Sequence, residues 1–171
     1  LKQVNFGTNY NLLKEISMLE VGQSFPKFSL PDENNKMTML SDFAGHWLVL
    51  YVYPKDDTPG CTIQGQRFTA TKTDFDKINA RVVGLSQDDS TSHKEFCNKF
   101  GLKIALLADT KAELLTQMGI KQSDWKGMKF WDRTTFVIDP KGLVRKIYHG
   151  VKPEGHEQEV LKDLQNFQAK H

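Results

Sequence analysis

The spacing of apolar residues divides this chain into alternating strands and helices. WLVLYVY, at 47–53, is apolar at every position, as a strand buried on both faces of a sheet would be. Pro54 ends it, having no N–H to give to a ladder. Phe68, Thr71, Phe75 and Ile78 then recur at intervals of three and four, which predicts a helix with Arg67, Lys72, Asp74 and Lys77 outside its buried stripe. RVVGLS (81–86) predicts a second short strand. His93, Phe96, Cys97 and Phe100 mark one face of a second helix, closed by Gly101 at the expected C-terminal position. IALLAD predicts a third strand and KAELLTQM a short helix. SDWKGMKFWD (123–132) has no period and reads as an irregular loop or an edge element. TTFVID and LVRKIYH flank a D-P-K-G turn, and Val160, Leu161, Leu164 and Phe167 give the last helix its buried side. Ahead of all this, FSL, PDENNK and MTML predict two short strands around a turn, followed by a tight helical turn over Ser41–Gly45.

This order describes an α/β fold, a mixed sheet with helices on both faces and extra N-terminal strands. Residues 1–17, with NFGTNYN and one or two helical turns over LLKEI, read as an extension, native or appended, and 18–171 as one domain. No internal repeat or linker interrupts it.

Composition narrows the class. Eleven Phe, four Tyr and three Trp in 171 residues are too many for a chain that stays disordered, and two cysteines are too few for a disulfide framework. A net charge of +2 with no basic stripe argues against a nucleic-acid partner. No run approaches the ~18 apolar residues of a membrane span. The first residues lack the pattern of a secretory signal, so the expectation is a cytoplasmic protein, although a chain that starts at Leu1 could have been trimmed.

The chemistry concentrates in YPKDDTPGC (53–61). Thr58 can cap the first long helix, with Pro59 at its first position, where a missing N–H costs nothing. Cys61 then lies in the first turn, where free N–H groups and the helix dipole favour a thiolate. An ordinary thiol is only about 3% ionised at pH 7, and lowering its pKa to about 6 takes about 3.4 kcal/mol. A helix end supplies about 0.3–1 kcal/mol, up to ~2 when partly buried, so a cation must add to it. Arg133, just before TTFVID, is the candidate; Lys55 is its rival, with a flexible head that orients a substrate less well. Asp56 and Asp57 would oppose a thiolate if they faced the sulfur, so both are expected to point outward. Cys97, taken alone, reads as a core residue beside Phe96 and Phe100, the functional alternative being a second thiol that captures an oxidised Cys61. His93 and Cys97 at i, i+4 could grip zinc, but two ligands do not make a site. His149 admits a cysteine–histidine hydrolase with no further support, and without a C-x-x-C the chain is no conventional dithiol oxidoreductase.

At these residues the chain resembles the peroxiredoxins, most closely the bacterioferritin comigratory protein or peroxiredoxin Q branch. VGQSFPKFSLPD, YVYPKDDTPGCT, SHKEFCNKFGL and RTTFVIDPKG carry the likeness, which runs from Met18 to the last helix. The resemblance implies a thioredoxin-like fold, commonly monomeric, and a thiol peroxidase acting on hydrogen peroxide and organic hydroperoxides. It makes Cys61 the peroxidatic cysteine, with Pro54 shielding it. Thr58 would exchange hydrogen bonds with the peroxide, and Arg133 would stabilise thiolate and peroxide. It implies recycling by thioredoxin or a similar dithiol and no cofactor or metal. The chain departs from the common C-T-x-E-A-C pattern. Gln64 stands in place of the glutamate and Gln66 in place of the second cysteine, so Cys97 takes the place of the later resolving thiol seen in other members. A one-cysteine peroxidase served by an external thiol, a peroxide-sensing interaction protein, and an inert thioredoxin-like module are the alternatives.

Overall fold

The computed structural model describes residues 17–170. The N-terminal part opens with β1 (Ser29–Pro31) and β2 (Met37–Met39), an antiparallel pair, and a 3-10 turn over Leu40–Phe43. Asp32 shapes the hairpin turn by accepting from the N–H groups of Asn34 and Lys36, the local bonding that makes Asp and Asn turn formers. Then follow β3 (Trp47–Val52), α1 (Pro59–Lys77), β4 (Ala80–Ser86), α2 (Ser90–Phe100), β5 (Ala105–Ala108) and α3 (Glu113–Gln117). After β6 (Gln122–Trp125) and β7 (Met128–Trp131), the chain ends its described part with β8 (Thr134–Ile138), β9 (Val144–Tyr148) and α4 (His156–Ala169).

The central sheet has the order β5-β4-β3-β8-β9. β3, β4 and β5 are parallel, joined through α1 and α2, while β8 and β9 run antiparallel to their neighbours. This is the α/β thioredoxin-like architecture, with a mixed sheet, flanking helices and additional N-terminal strands. All six residues of β3 are buried, because its alternate side chains feed two separate cores. Val49 and Tyr51 face Phe68 and Phe75 of α1, Phe96 of α2 and Val160 and Leu164 of α4. Leu48, Leu50 and Val52 face Leu114 and Leu115 of α3, together with Leu19, Phe25 and Met118.

Residues 1–16, and with them LLKEI, lie outside the described residues. The segment 123–132 is regular: β6 and β7 form a separate hairpin. Its turn residues Lys126 and Gly127 have φ of 49° and 77°, the left-handed pair that matches the twist of a two-residue hairpin. Most of the hairpin's side chains are exposed, so no burial alternation marked its strands in the sequence. No helix among the described residues is long and apolar enough to cross a membrane.

Candidate active site

The register of the sheet brings the site together. Thr134 of β8 pairs with Val52 of β3, so the residue before β8 lies beside the segment leaving β3. That residue is Arg133, and the segment runs through Pro54 and Thr58 into α1. The Arg133 carbonyl accepts from Val151 N–H at 3.2 Å, fixing the backbone at this point. Its guanidinium forks: Nη2 donates to Cys61 Sγ at 3.3 Å and Nη1 to Gln64 Oε1 at 2.9 Å. Cys61 and Gln64 are a helical turn apart on α1 and both buried, so one planar cation holds two points of the same helix face. Lys55 is exposed on the loop, and Arg133 is the cation that reaches the sulfur.

Gly60 makes that approach possible. A Cβ there would stand 2.6 Å from Arg133 Nη2 and 3.5 Å from Pro153. Pro59 occupies the first helical position as expected. Thr58 is the N-cap residue in backbone terms, but its side chain makes no capping bond. Its hydroxyl donates to the Lys55 carbonyl at 2.9 Å, which corrects the expected cap and leaves the oxygen's lone pairs free to accept. The helix is instead continued from the Thr58 carbonyl, which receives Thr62 N–H and Thr62 Oγ1 at 2.9 and 2.8 Å. Pro54 is half-buried in the bend after β3.

Asp57 points outward, as expected, to an exposed pair with Lys99 at 2.8 Å. Asp56 does not. It is buried and turned inward, with Oδ1 accepting from Tyr53 OH at 2.6 Å and Oδ2 from Ser92 Oγ at 2.8 Å and His93 Nδ1 at 2.7 Å. The physical reason is that its neighbours on α2 supply enough donors to offset the desolvation of a carboxylate. Its backbone N–H donates to Asp88 Oδ2. His93 Nε2 meets the Leu107 carbonyl at 2.9 Å, so both ring nitrogens are engaged and neither is open to a metal shared with Cys97. His149 is exposed on the surface.

Cys97 lies in the core beside Phe96. Burial, reinforced by the charges of Glu33 and Asp56 and partly offset by Lys94 and Lys103, pushes its thiol up to about 12. Packed in this way it stays protonated. The two thiols are free, with their sulfurs beyond disulfide-bonding distance. Sequence reasoning missed the part played by Gln64 as the second acceptor for Arg133. Its position one turn after Cys61 on the same helix face was the available signal.

A thiol at the first turn of a helix, under an arginine delivered by the neighbouring strand of a thioredoxin-like sheet, matches known proteins. The AhpC/TSA family profile fits residues 21–147, and the chain belongs to that family, the peroxiredoxins. It is 40% identical over 149 residues to the bcp peroxiredoxin of Helicobacter pylori strain J99, covering 85% of this chain and 98% of that protein. It is also 40% identical over 147 residues to the chloroplastic peroxiredoxin Q of Populus jackii, covering 85% of this chain and 68% of the relative. A cysteine-to-serine mutant of Xylella fastidiosa PrxQ superposes with a TM-score of 0.85 at 34% identity, over 89% of this chain and 99% of that one. Within the family the chain therefore falls in the peroxiredoxin Q or bacterioferritin comigratory protein branch, with Cys97 of α2 in the place of a resolving cysteine. It is a thiol peroxidase of the peroxiredoxin type, and membership implies, in general terms, a peroxide substrate and a thioredoxin-type reductant.

Proposed function

We propose that Cys61 is the peroxidatic cysteine of a two-cysteine cycle resolved by Cys97. The observation that carries this reading is the Arg133 Nη2–Cys61 Sγ contact of 3.3 Å at the start of α1. The Cys61 thiolate attacks one peroxide oxygen in line with the O–O bond. That bond breaks, and the departing oxygen leaves as water or alcohol after taking a proton. Arg133 and the free N–H groups of the first helical turn stabilise the charge developing on it, as donors do in an oxyanion hole. Thr58 accepts a hydrogen bond from the hydroperoxide O–H, since its own proton is committed to Lys55. Pro54 limits access of water to the sulfur. Cys61 is now a sulfenic acid, two electrons more oxidised.

Resolution follows when the Cys97 thiol attacks the sulfenic sulfur, forming the disulfide and releasing water. An external dithiol of the thioredoxin type then exchanges with that disulfide and restores both thiols. Since Cys97 is packed in the core and protonated there, this step requires α2, the first turn of α1, or both to open. Organic hydroperoxides as substrates gain support from a Xanthomonas campestris bacterioferritin comigratory protein described by its alkyl peroxide reduction activity, 36% identical with a TM-score of 0.78 over 87% of this chain.

Intact mass after one equivalent of peroxide is expected to fall by two hydrogens, with a crosslinked peptide pair containing Cys61 and Cys97. A persistent sulfenic acid with Cys97 still alkylable would overturn resolution by Cys97 and favour an external thiol. Cys61→Ser should abolish turnover. Cys97→Ala should leave the first attack intact, stop thioredoxin-coupled cycling and hasten over-oxidation of Cys61.

A further inference from the structure

Among the described residues, Asp56 and His93 are the one acid–base pair in salt-bridge range with both side chains buried, at 4% and 0% exposure. Its position in the chain matters as much as its burial. Asp56 lies in the turn between β3 and α1, a few residues ahead of Cys61. His93 lies one helical turn ahead of Cys97 on α2. The pair therefore ties the segment leading to one thiol to the helix that carries the other.

The hydrogen bonds define what holds it. The Leu107 carbonyl can only accept, so His93 Nε2 carries a proton; Nδ1 faces Asp56 Oδ2 at 2.7 Å. A proton therefore also lies in the Nδ1–Asp56 bond, and the raised pKa of His93 favours its place on the ring. Around it stand Tyr53 and Asp56 from the segment after β3, Asp88 from the segment after β4 and the Leu107 carbonyl of β5. Ser92, Phe96 and Cys97 come from its own helix, while Glu33, Lys94 and Lys103 act on Cys97. Ser86 bonds Asp88 in turn. A buried pair of this kind resists opening, because separation leaves a charge without its partner.

We propose that the Asp56–His93 pair is a latch that holds α2 closed over Cys97, so that its release sets the rate at which the Cys61 sulfenic acid is resolved. The inference deepens the two-cysteine reading and rests on it. Burial alone would lower the His93 pKa, but the Asp56 bond and charge, the Leu107 carbonyl and Asp88 outweigh it and raise the group above its ordinary value. A group with a raised pKa stabilises the closed state fully below its open-state value of about 6.5, and that contribution is lost as pH rises through the closed-state value. The latch is therefore firm in mild acid and loosens in base.

Two measurements test it. In reduced protein without peroxide, hydrogen-exchange protection of the α2 amides should be level below about pH 6.5. Above that it should fall by up to about tenfold per pH unit until His93 is neutral. His93→Gln should remove the slope, and protection that is pH-independent in the wild type would overturn the latch. In peroxide-treated protein at pH ~6, His93→Gln and Asp56→Asn should convert sulfenic acid to disulfide at least about tenfold faster than wild type. Initial oxidation of Cys61 should stay within about twofold. The advantage of His93→Gln, which leaves in place the charges of Glu33, Asp56, Lys94 and Lys103 that act on Cys97, should shrink as pH rises. A constant ratio, or slower resolution, would overturn the proposal. Should either variant fold poorly, Ser92→Ala removes one donor to Asp56 from a half-buried position and should act in the same direction more weakly. Failure to consume peroxide at all would defeat the peroxidase cycle, while the exchange experiment would still read the latch.

Discussion

At the scale of single residues, the site depends on how closely Arg133 can approach Cys61. Arg133→Ala should slow peroxide attack by about 10²–10³-fold, the usual effect of removing one oriented donor from a developing oxyanion; an unchanged stopped-flow rate would remove Arg133 from this role. Gly60→Ala is the subtler test. The added carbon meets Arg133 Nη2 at 2.6 Å, so the guanidinium must retreat from the sulfur, yet Ala is the better helix residue. Activity should fall while stability holds, and a variant with full activity would mean that the 3.3 Å contact is dispensable. The sequence made Cys61 and Arg133 legible for a local reason: each sits at the mouth of an element whose start is written in its neighbours. Asp56 was misread because its partners, Ser92 and His93, are brought to it by the crossover of β4, and no spacing within YPKDDTPGC announces them. Thr58 was half legible. Its place at the helix start followed from Pro59, but the direction of its hydroxyl depends on the fold of the Lys55–Asp57 loop.

At the scale of elements, α2 is the one whose stability matters to the cycle. Asp89 caps its start by accepting from Ser92 N–H at 2.8 Å, and Gly101 ends it at φ 67°. Asp89→Ala should destabilise the helix by about 1 kcal/mol, with the loss concentrated in its first turns. Hydrogen exchange resolved by peptide would measure it: lower protection across Ser90–Phe100 with β3 and β8 unaffected is expected, whereas uniform loss would mean that α2 opens only with the whole fold. Every element of the central sheet could be anticipated, since burial on one or both faces imposes the period that sequence displays. The β6–β7 hairpin could not be anticipated in that way. Exposed strands have no buried face to impose alternation, and the remaining clue was Gly127 in a two-residue turn. The strand order could be read only as far as the βαβ crossovers fixed it. The antiparallel place of β8 beside β3, which delivers Arg133, is a property of tertiary pairing.

At the scale of the whole molecule, two buried histidines set opposite limits on the pH range of stability. His156, at the start of α4, meets Thr135 Oγ1 of β8 through Nε2 at 2.8 Å, and its ring lies edge-on to Phe68 of α1 and Tyr148 of β9. It thus ties α4 to three other elements as a neutral ring. Burial lowers its pKa, only partly offset by Glu159 and Glu157. The unfolded chain therefore binds a proton more readily than the folded one, and stability is lost as pH falls below about 6.5. His93 has the opposite sign, its raised pKa costing stability as pH climbs above the same value. Their sum predicts a stability maximum near pH 6.5, with slopes of at most about 1.4 kcal/mol per pH unit from each group on its own side. Urea midpoints between about pH 5.5 and 8, where carboxylates and lysines contribute little, would resolve the two. His156→Gln should flatten the acid limb and leave the alkaline limb, and His93→Gln should do the reverse. If both limbs survived both substitutions, the histidines would not be what bounds the fold, and the closed state of α2 would owe its pH dependence to some other group.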